Sequence, residues 1–179
     1  IDLPETARMY PHHFKGEGQF VAHLQFKGEN PAPKFKASKS NLSREQQNLW
    51  QEFAQKHLKI LLTGVLQTFG DQLYLLPEML PDLGKLKIAR NGLRLGTFKK
   101  KRFEPSFALG LALKPSQVLQ TVEIKDENFV KYVAGETVQL AKSLPNGWYQ
   151  VLVHGNGLGF AKVTGNVLKN YYPKGLRFK

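Results

Sequence analysis

The sequence predicts an α+β protein: a small mixed segment of helix and strand, then a small β-barrel, with a detached β-hairpin ahead of both. Three observations predict it. Apolar and polar residues alternate over short runs separated by Gly, Pro and Asn turn signals. Behind Ser43 the apolar residues change to helical spacing. Glycines crowd positions 155, 157 and 159 between the β-like runs WYQVLVHG and LGFAKVTG.

At 179 residues the chain is one ordinary domain or two small ones. Its 41% hydrophobic and 22% charged content, with a mean hydropathy of −0.36, excludes a disordered chain. The absence of cysteine excludes disulfides, thiolate metal sites and a cysteine nucleophile within these residues. The longest strongly apolar run, Leu58 to Leu66, is too short to span a bilayer. No signal peptide is recognisable and the first residue is not methionine, so a fragment of a soluble, cytoplasmic protein is expected.

The elements follow in order. In QFVAHLQF, residues Phe20, Ala22, Leu24 and Phe26 form one apolar face of a strand, and ARMYPHHFKGEG supplies a second strand ended by Pro11. Such a hairpin is marginal alone and must dock on something. Residues 29–42, rich in Pro, Lys and small polar residues, read as a linker. Ser43 and Gln46 fit a capping box, and the helix behind them puts Trp50, Phe53, Ala54, His57 and Leu58 on one core-facing stripe. His57 reads there as a core histidine with its polar atoms satisfied. Two strands flank Gly70 and Asp71, and Asn91-Gly92 signals a further hairpin, across which Lys85, Lys87 and Arg94 share a face. Pro105 and Ser106 open the short helix FALGLAL. A strand near Val118 to Ile124, a helix near Asp126 to Ala134 capped by Gly135, and a strand at Thr137 to Leu140 come next. A hairpin turning on Gly155, Asn156 and Gly157 then precedes the tail NVLKNYYPKGLRF. The boundaries expected are 1–28, 29–42, 43–113 and 114–179.

The charge is unevenly placed. Of the net +12, Gly84 to Pro115 holds +8 and Gly147 to Lys179 holds +5, so the remaining residues together carry about −1. Clustered cations are what polyanion binding needs, because each neutralised phosphate releases condensed counterions. The candidate RNA-binding residues are Lys85, Lys87, Arg90, Arg94, Lys99, Lys100, Lys101 and Arg102 in the first segment, and Lys162, Lys169, Lys174 and Arg177 in the second. Tyr171 and Tyr172 among the latter can stack on bases or pack the end of the barrel.

Catalytic signatures are missing. The glycine cluster is not followed by a helix-forming run, as a dinucleotide loop requires, and no G-K-[ST] exists. The five histidines are scattered; adjacent His12 and His13 point to opposite faces of an extended segment, and His23 and His154 fall on strands. No metal site, paired-carboxylate site or G-x-S-x-G elbow is expected.

Two stretches go beyond composition. Arg8, Pro11, His12, Gly16, Gly18 and Phe20 stand in the spacing R-x-x-P-H-x-x-x-G-x-G-x-F, which resembles a pattern near the end of the catalytic domain of Sun-type RNA (cytosine-5)-methyltransferases. The stretches RNGLRLGTFKKKRFEPSFAL and FAKVTGNVLKNYYPKGLR resemble the C-terminal part of the RsmF-type bacterial branch, which acts on small-subunit ribosomal RNA and ends in a PUA-like RNA-binding domain. The resemblance implies that residues 1–28 are the last hairpin of a methyltransferase domain that uses S-adenosylmethionine, and that residues 114–179 are the PUA-like barrel. It implies a substrate-pocket border at Arg8 and His12. Family chemistry uses two cysteines, so this stretch is expected to be no enzyme and to bind no cofactor itself, while its parent is one. The expected partner is small-subunit ribosomal RNA, bound by a monomer without membrane contact. Transfer RNA, or a salt-insensitive protein partner, is the alternative.

Overall fold

The computed structural model describes residues 6–13, 15–22, 36–80, 87–88 and 92–178. The chain divides into two units, residues 1–34 and 35–179. In the first, β1 (Thr6–Met9) and β2 (Gln19–Ala22) pair antiparallel with Arg8 opposite Phe20. Met9, Phe20 and Val21 are exposed on this hairpin. Leu24 and Phe26, the rest of its expected apolar face, lie outside the described residues, as does the first half of the expected linker, 29–35.

In the second unit, local chemistry starts the helix α1 (Arg44–His57): Ser43 Oγ accepts from the Gln46 amide at 3.2 Å and Gln46 Oε1 accepts from the Ser43 amide at 3.0 Å. The capping box is therefore complete at both bonds. Its apolar stripe buries Trp50, Phe53 and His57, while Leu58 already lies past the helix end. Within residues 36–42, part of the expected extended linker, Asn41 is tied to the next strand: its Oδ1 accepts from the Thr68 amide at 2.8 Å and its Nδ2 donates to the Thr68 carbonyl at 3.0 Å.

Tight turns then set the strand pairs. β3 (Val65–Phe69) and β4 (Gln72–Leu76) meet at Gly70-Asp71, where Gly70 has φ +61°, the first-position glycine of a type II′ turn. β5 (Leu93–Lys99) pairs with β4 on one side and with β6 (Arg102–Pro105) on the other, completing an antiparallel sheet in the order β3-β4-β5-β6. Its hairpin turns on Lys100-Lys101, and Lys101 is left-handed at φ 57°. The hairpin expected at Asn91-Gly92 falls largely outside the described residues, and Lys87, which is described, is not in a strand.

Ser106 caps the short helix α2 (Phe107–Ala112) by accepting from the Leu109 amide, and its hydroxyl donates to the Arg94 carbonyl at 2.6 Å. Beyond it, β7 (Thr121–Glu123), α3 (Asp126–Ala134), β8 (Val138–Gln139), β9 (Gly147–Val153), β10 (Asn156–Thr164) and β11 (Val167–Lys169) build a curled five-stranded sheet in the order β7-β9-β10-β11-β8. β7 is parallel to β9 and the other pairs are antiparallel. Gly135 ends α3 at φ 100°. The α+β class with a PUA-like half-barrel is thus what the chain forms.

The β9–β10 hairpin corrects one expectation. It turns on His154-Gly155, both with positive φ (50° and 73°) as a type I′ turn requires, so His154 sits in the turn and not on a strand. Gly157 and Gly159 serve packing instead. A Cβ on Gly110 of α2 would come within 2.5 Å of the Gly159 Cα, so helix and strand touch backbone to backbone.

Two cores result, and the first crosses between the halves. Trp50, Phe53, Leu73, Leu95, Phe98, Phe103 and Leu109 are joined in it by Trp148 and Phe160 from β9 and β10. The second fills the curled sheet with Tyr132, Val138, Val151, Val163 and Leu168. Gln150, fully buried, ties the halves together by donating from Nε2 to the carbonyls of Gly110 and Leu113, each at 2.8 Å. Those carbonyls belong to the last turn of α2 and to its C-cap, where the helix has no donor of its own to offer them.

Candidate nucleic-acid interface

Antiparallel neighbours directly opposite one another project to the same face of a sheet. In the half-barrel this rule places Trp148, Lys162 and Lys169 in one row across β9, β10 and β11. Trp148 at one end of the row is buried against the first core, and Lys169 at the other is exposed. Lys162 between them is half-buried at the edge of a cleft of about 230 Å³. The β5–β6 hairpin lines it with Lys101 and Arg102, and α1 contributes Lys56. Two basic segments some sixty residues apart in the chain thus meet, with Glu52 as the one acid among the lining side chains.

The cleft floor differs from its rim. Phe53, His57, Phe103 and Trp148 form it, and the first three pack ring on ring: Phe53 lies 4.8 Å from His57 and 5.1 Å from Phe103, centroid to centroid. Tyr171 meets Trp148 edge-on at 4.7 Å and is 40% exposed. Its phenol is raised above its ordinary value, first by burial and then by Glu104, with Arg102 opposing.

His57 is buried as its helical position implied, but its Nδ1 has no hydrogen-bond partner, which corrects the expectation of a satisfied core histidine. Its pKa is lowered from 6.5 to about 4, first by desolvation and then by Lys56; the Gln120 side chain and Trp148 backbone oppose without cancelling. The imidazole is therefore neutral at pH 7.

The other expected cations are distributed differently. Lys99 pairs with Asp71 at 3.5 Å, both exposed. Lys100 is exposed in the turn, and Arg102 Nε also contacts Glu104 at 2.9 Å. Arg94 lines a separate cleft with Tyr74, Phe107 and Pro173, its Nη2 donating to Thr97 Oγ1 at 3.1 Å. Lys174 is exposed in the 3-10 turn that follows Pro173, and Lys87 is exposed. Arg177 is turned to the fold: its guanidinium packs over Gly135 and donates to Asn170 Oδ1 at 3.5 Å and to the Tyr172 carbonyl at 3.3 Å. Tyr172 is also committed to packing, edge-on to Phe107 and Tyr132. Lys85 and Arg90 lie outside the described residues. In the first unit, the Arg8 guanidinium lies 5.6 Å from the Phe20 ring and 5.9 Å from that of Tyr10, and His12 packs on Tyr10 and His13. Lys56 was missed because it stands on an exposed helix flank outside the two strongly basic segments of the chain. Among the described residues no three His, Asp or Glu side chains gather as a metal site, and no helix is long and apolar enough to cross a membrane.

Comparison with known proteins matches residues 52–113 to the model of the RsmF rRNA methyltransferase first C-terminal domain, and residues 119–178 to that of the methyltransferase RsmF PUA domain. Among curated proteins, the ribosomal RNA small subunit methyltransferase F of Shewanella loihica is 27% identical over 94% of this chain, and that of Shewanella oneidensis 29% identical over 94%. That of Erwinia tasmaniensis is 27% identical, again over 94%. The chain spans little more than a third of the length of these relatives, 36% to 37%. With both C-terminal domain types present in succession, the chain belongs to the RsmF rRNA methyltransferase family.

Proposed function

We propose that this chain is the RNA-binding C-terminal region of an S-adenosylmethionine-dependent rRNA (cytosine-5)-methyltransferase, and that it holds structured small-subunit ribosomal RNA so that a target cytosine reaches the catalytic domain. The observation that carries the reading is the convergence of the two basic segments on one cleft. Cations scattered over a surface raise solubility; cations from three elements facing a common gap with one intervening acid bind a phosphate backbone. Lys56, Lys101, Arg102 and Lys162 form that grip in this reading, with Lys169 continuing it along the sheet. Lys99, Lys100, Arg94, Lys87 and Lys174 add longer-range attraction. The chain has no cysteine, so the nucleophilic step and the cofactor belong to the part of the relatives' length that it does not cover. Tethering gives this region its purpose, because a held RNA is presented to a linked active site at high effective concentration.

The test is a salt titration. Binding of a ribosomal RNA hairpin is followed by fluorescence anisotropy for the unaltered chain and for the triple variant Lys101→Gln, Arg102→Gln, Lys162→Gln. Losing three phosphate contacts lowers the slope of log K against log salt by about 2 to 3. An unchanged slope and affinity would refute the assignment, and salt-insensitive binding by the unaltered chain would favour a protein partner instead.

A further inference from the structure

We infer that the floor of this cleft is a seat for one unpaired nucleobase of the bound RNA. The inference rests on the RNA-binding reading and adds what the RNA must present. A phosphate needs cations or amide donors, and these stand at the rim; the floor offers the rings of Phe53, His57, Phe103 and Trp148. Each of these rings is less than a tenth exposed, so the floor is a small apolar patch and not an open stacking face; such a patch beneath a rim of cations suits the edge of a heterocycle whose flanking phosphates stay outside. A volume of about 230 Å³ falls below the ~300–1,000 Å³ of sites that enclose drug-sized ligands. It suits a single ring system and excludes a paired stem. Tyr171, partly exposed at the edge of Trp148, stands where the next base along the strand can rest.

The second observation is His57. Its Nδ1 is buried and unpartnered, on a residue only 4% exposed that lines the cleft. A neutral imidazole nitrogen can donate to, or accept from, the edge of a base according to tautomer. An orphaned buried polar atom is uncommon in a native fold, and a ligand that completes the bond accounts for its persistence. The same nitrogen would be a poor partner for a phosphate, since burial keeps it uncharged.

The experiment varies the RNA, so that protein folding does not enter. The whole chain is titrated with a hairpin RNA carrying one bulged nucleotide, occupied in turn by each of the four bases, and with the same hairpin bearing an abasic bulge. The best base is expected to bind about tenfold tighter than the abasic RNA, within the range that stacking of a single base supplies. A 4-thiouridine at the bulge, irradiated in the complex, should cross-link to the stretch around His57, Trp148 or Tyr171. Equal binding of base and abasic RNAs with salt dependence intact would overturn the base seat and leave RNA binding standing. Cross-links confined to other surfaces would overturn it likewise. A free mononucleotide that binds as tightly as the bulged RNA would overturn the assignment to RNA. Salt-independent binding of every RNA would remove the underlying reading itself.

Discussion

His57 makes the stability of this chain depend on mild acid, by an amount its environment sets. In the unfolded chain the imidazole takes up a proton near pH 6.5, and in the folded chain only near 4, because burial and Lys56 both disfavour the charge. Between those values the unfolded chain binds more protons, so stability rises with pH across the window. The contribution is whole above about pH 6.5 and is lost as pH falls toward 4. In full it is about 3 kcal/mol, of which about 2 kcal/mol is gone by pH 5. Protonation also brings a positive charge into the cleft that already holds Lys56, Lys101, Arg102 and Lys162, offset by Glu52 in the lining and by Glu104 against Arg102. The variant His57→Phe keeps a ring against Phe53 and removes the proton acceptor. Urea unfolding of both proteins at pH 7, 6 and 5 reads the effect as a slope, so an altered intercept from imperfect packing of the variant does not confuse it. The unaltered chain should lose about 2 kcal/mol more than the variant between pH 7 and pH 5. Parallel pH dependences would refute the reasoning, and would mean that His57 is hydrated or finds a partner for its charged form.

Gln150→Leu keeps the volume but strands the carbonyls of Gly110 and Leu113, which accept its two bonds. Urea unfolding should show a loss of about 2 to 4 kcal/mol, against less than 1 if water replaces the amide. Lys101 occupies a left-handed backbone position that glycine adopts freely. Lys101→Gly should therefore stabilise the chain by up to about 1 kcal/mol in the same assay while weakening RNA binding. A gain in stability with unchanged affinity would remove Lys101 from the proposed grip.

Local chemistry was legible in the sequence where a side chain contacts its own backbone neighbourhood. Ser43 with Gln46, Ser106 before FALGLAL, Gly135 after α3 and Gly70 between β3 and β4 all sit where their signals put them. Turns without such a signal were not legible. Lys100-Lys101 carries no glycine or asparagine, so nothing local marked the reversal that the pairing of β5 with β4 and β6 imposes. At the β9–β10 hairpin two candidate glycines flanked Asn156, and the register of the strands chose His154-Gly155. The cleft itself lay beyond any local pattern. Lys56, Lys101 and Lys162 meet through packing between distant segments, and periodicity speaks only of neighbours. The tail shows the opposite limit: Arg177 carries the same charge as Lys169, but its planar fork is engaged with Asn170 and Tyr172.

Trp148 and Phe160 leave the half-barrel to complete the other core, and Gln150 pins α2 from the strand that carries Trp148. The two jaws of the cleft therefore cannot spread without opening hydrophobic core. On the RNA-binding reading proposed above, the cleft would act as a caliper of fixed gauge, sorting RNAs by the width and shape of what they bring to it and leaving the bending to the RNA. A rigid gauge loses little entropy when it closes on its object. Neither half, carried alone into another protein, would bring the gauge with it.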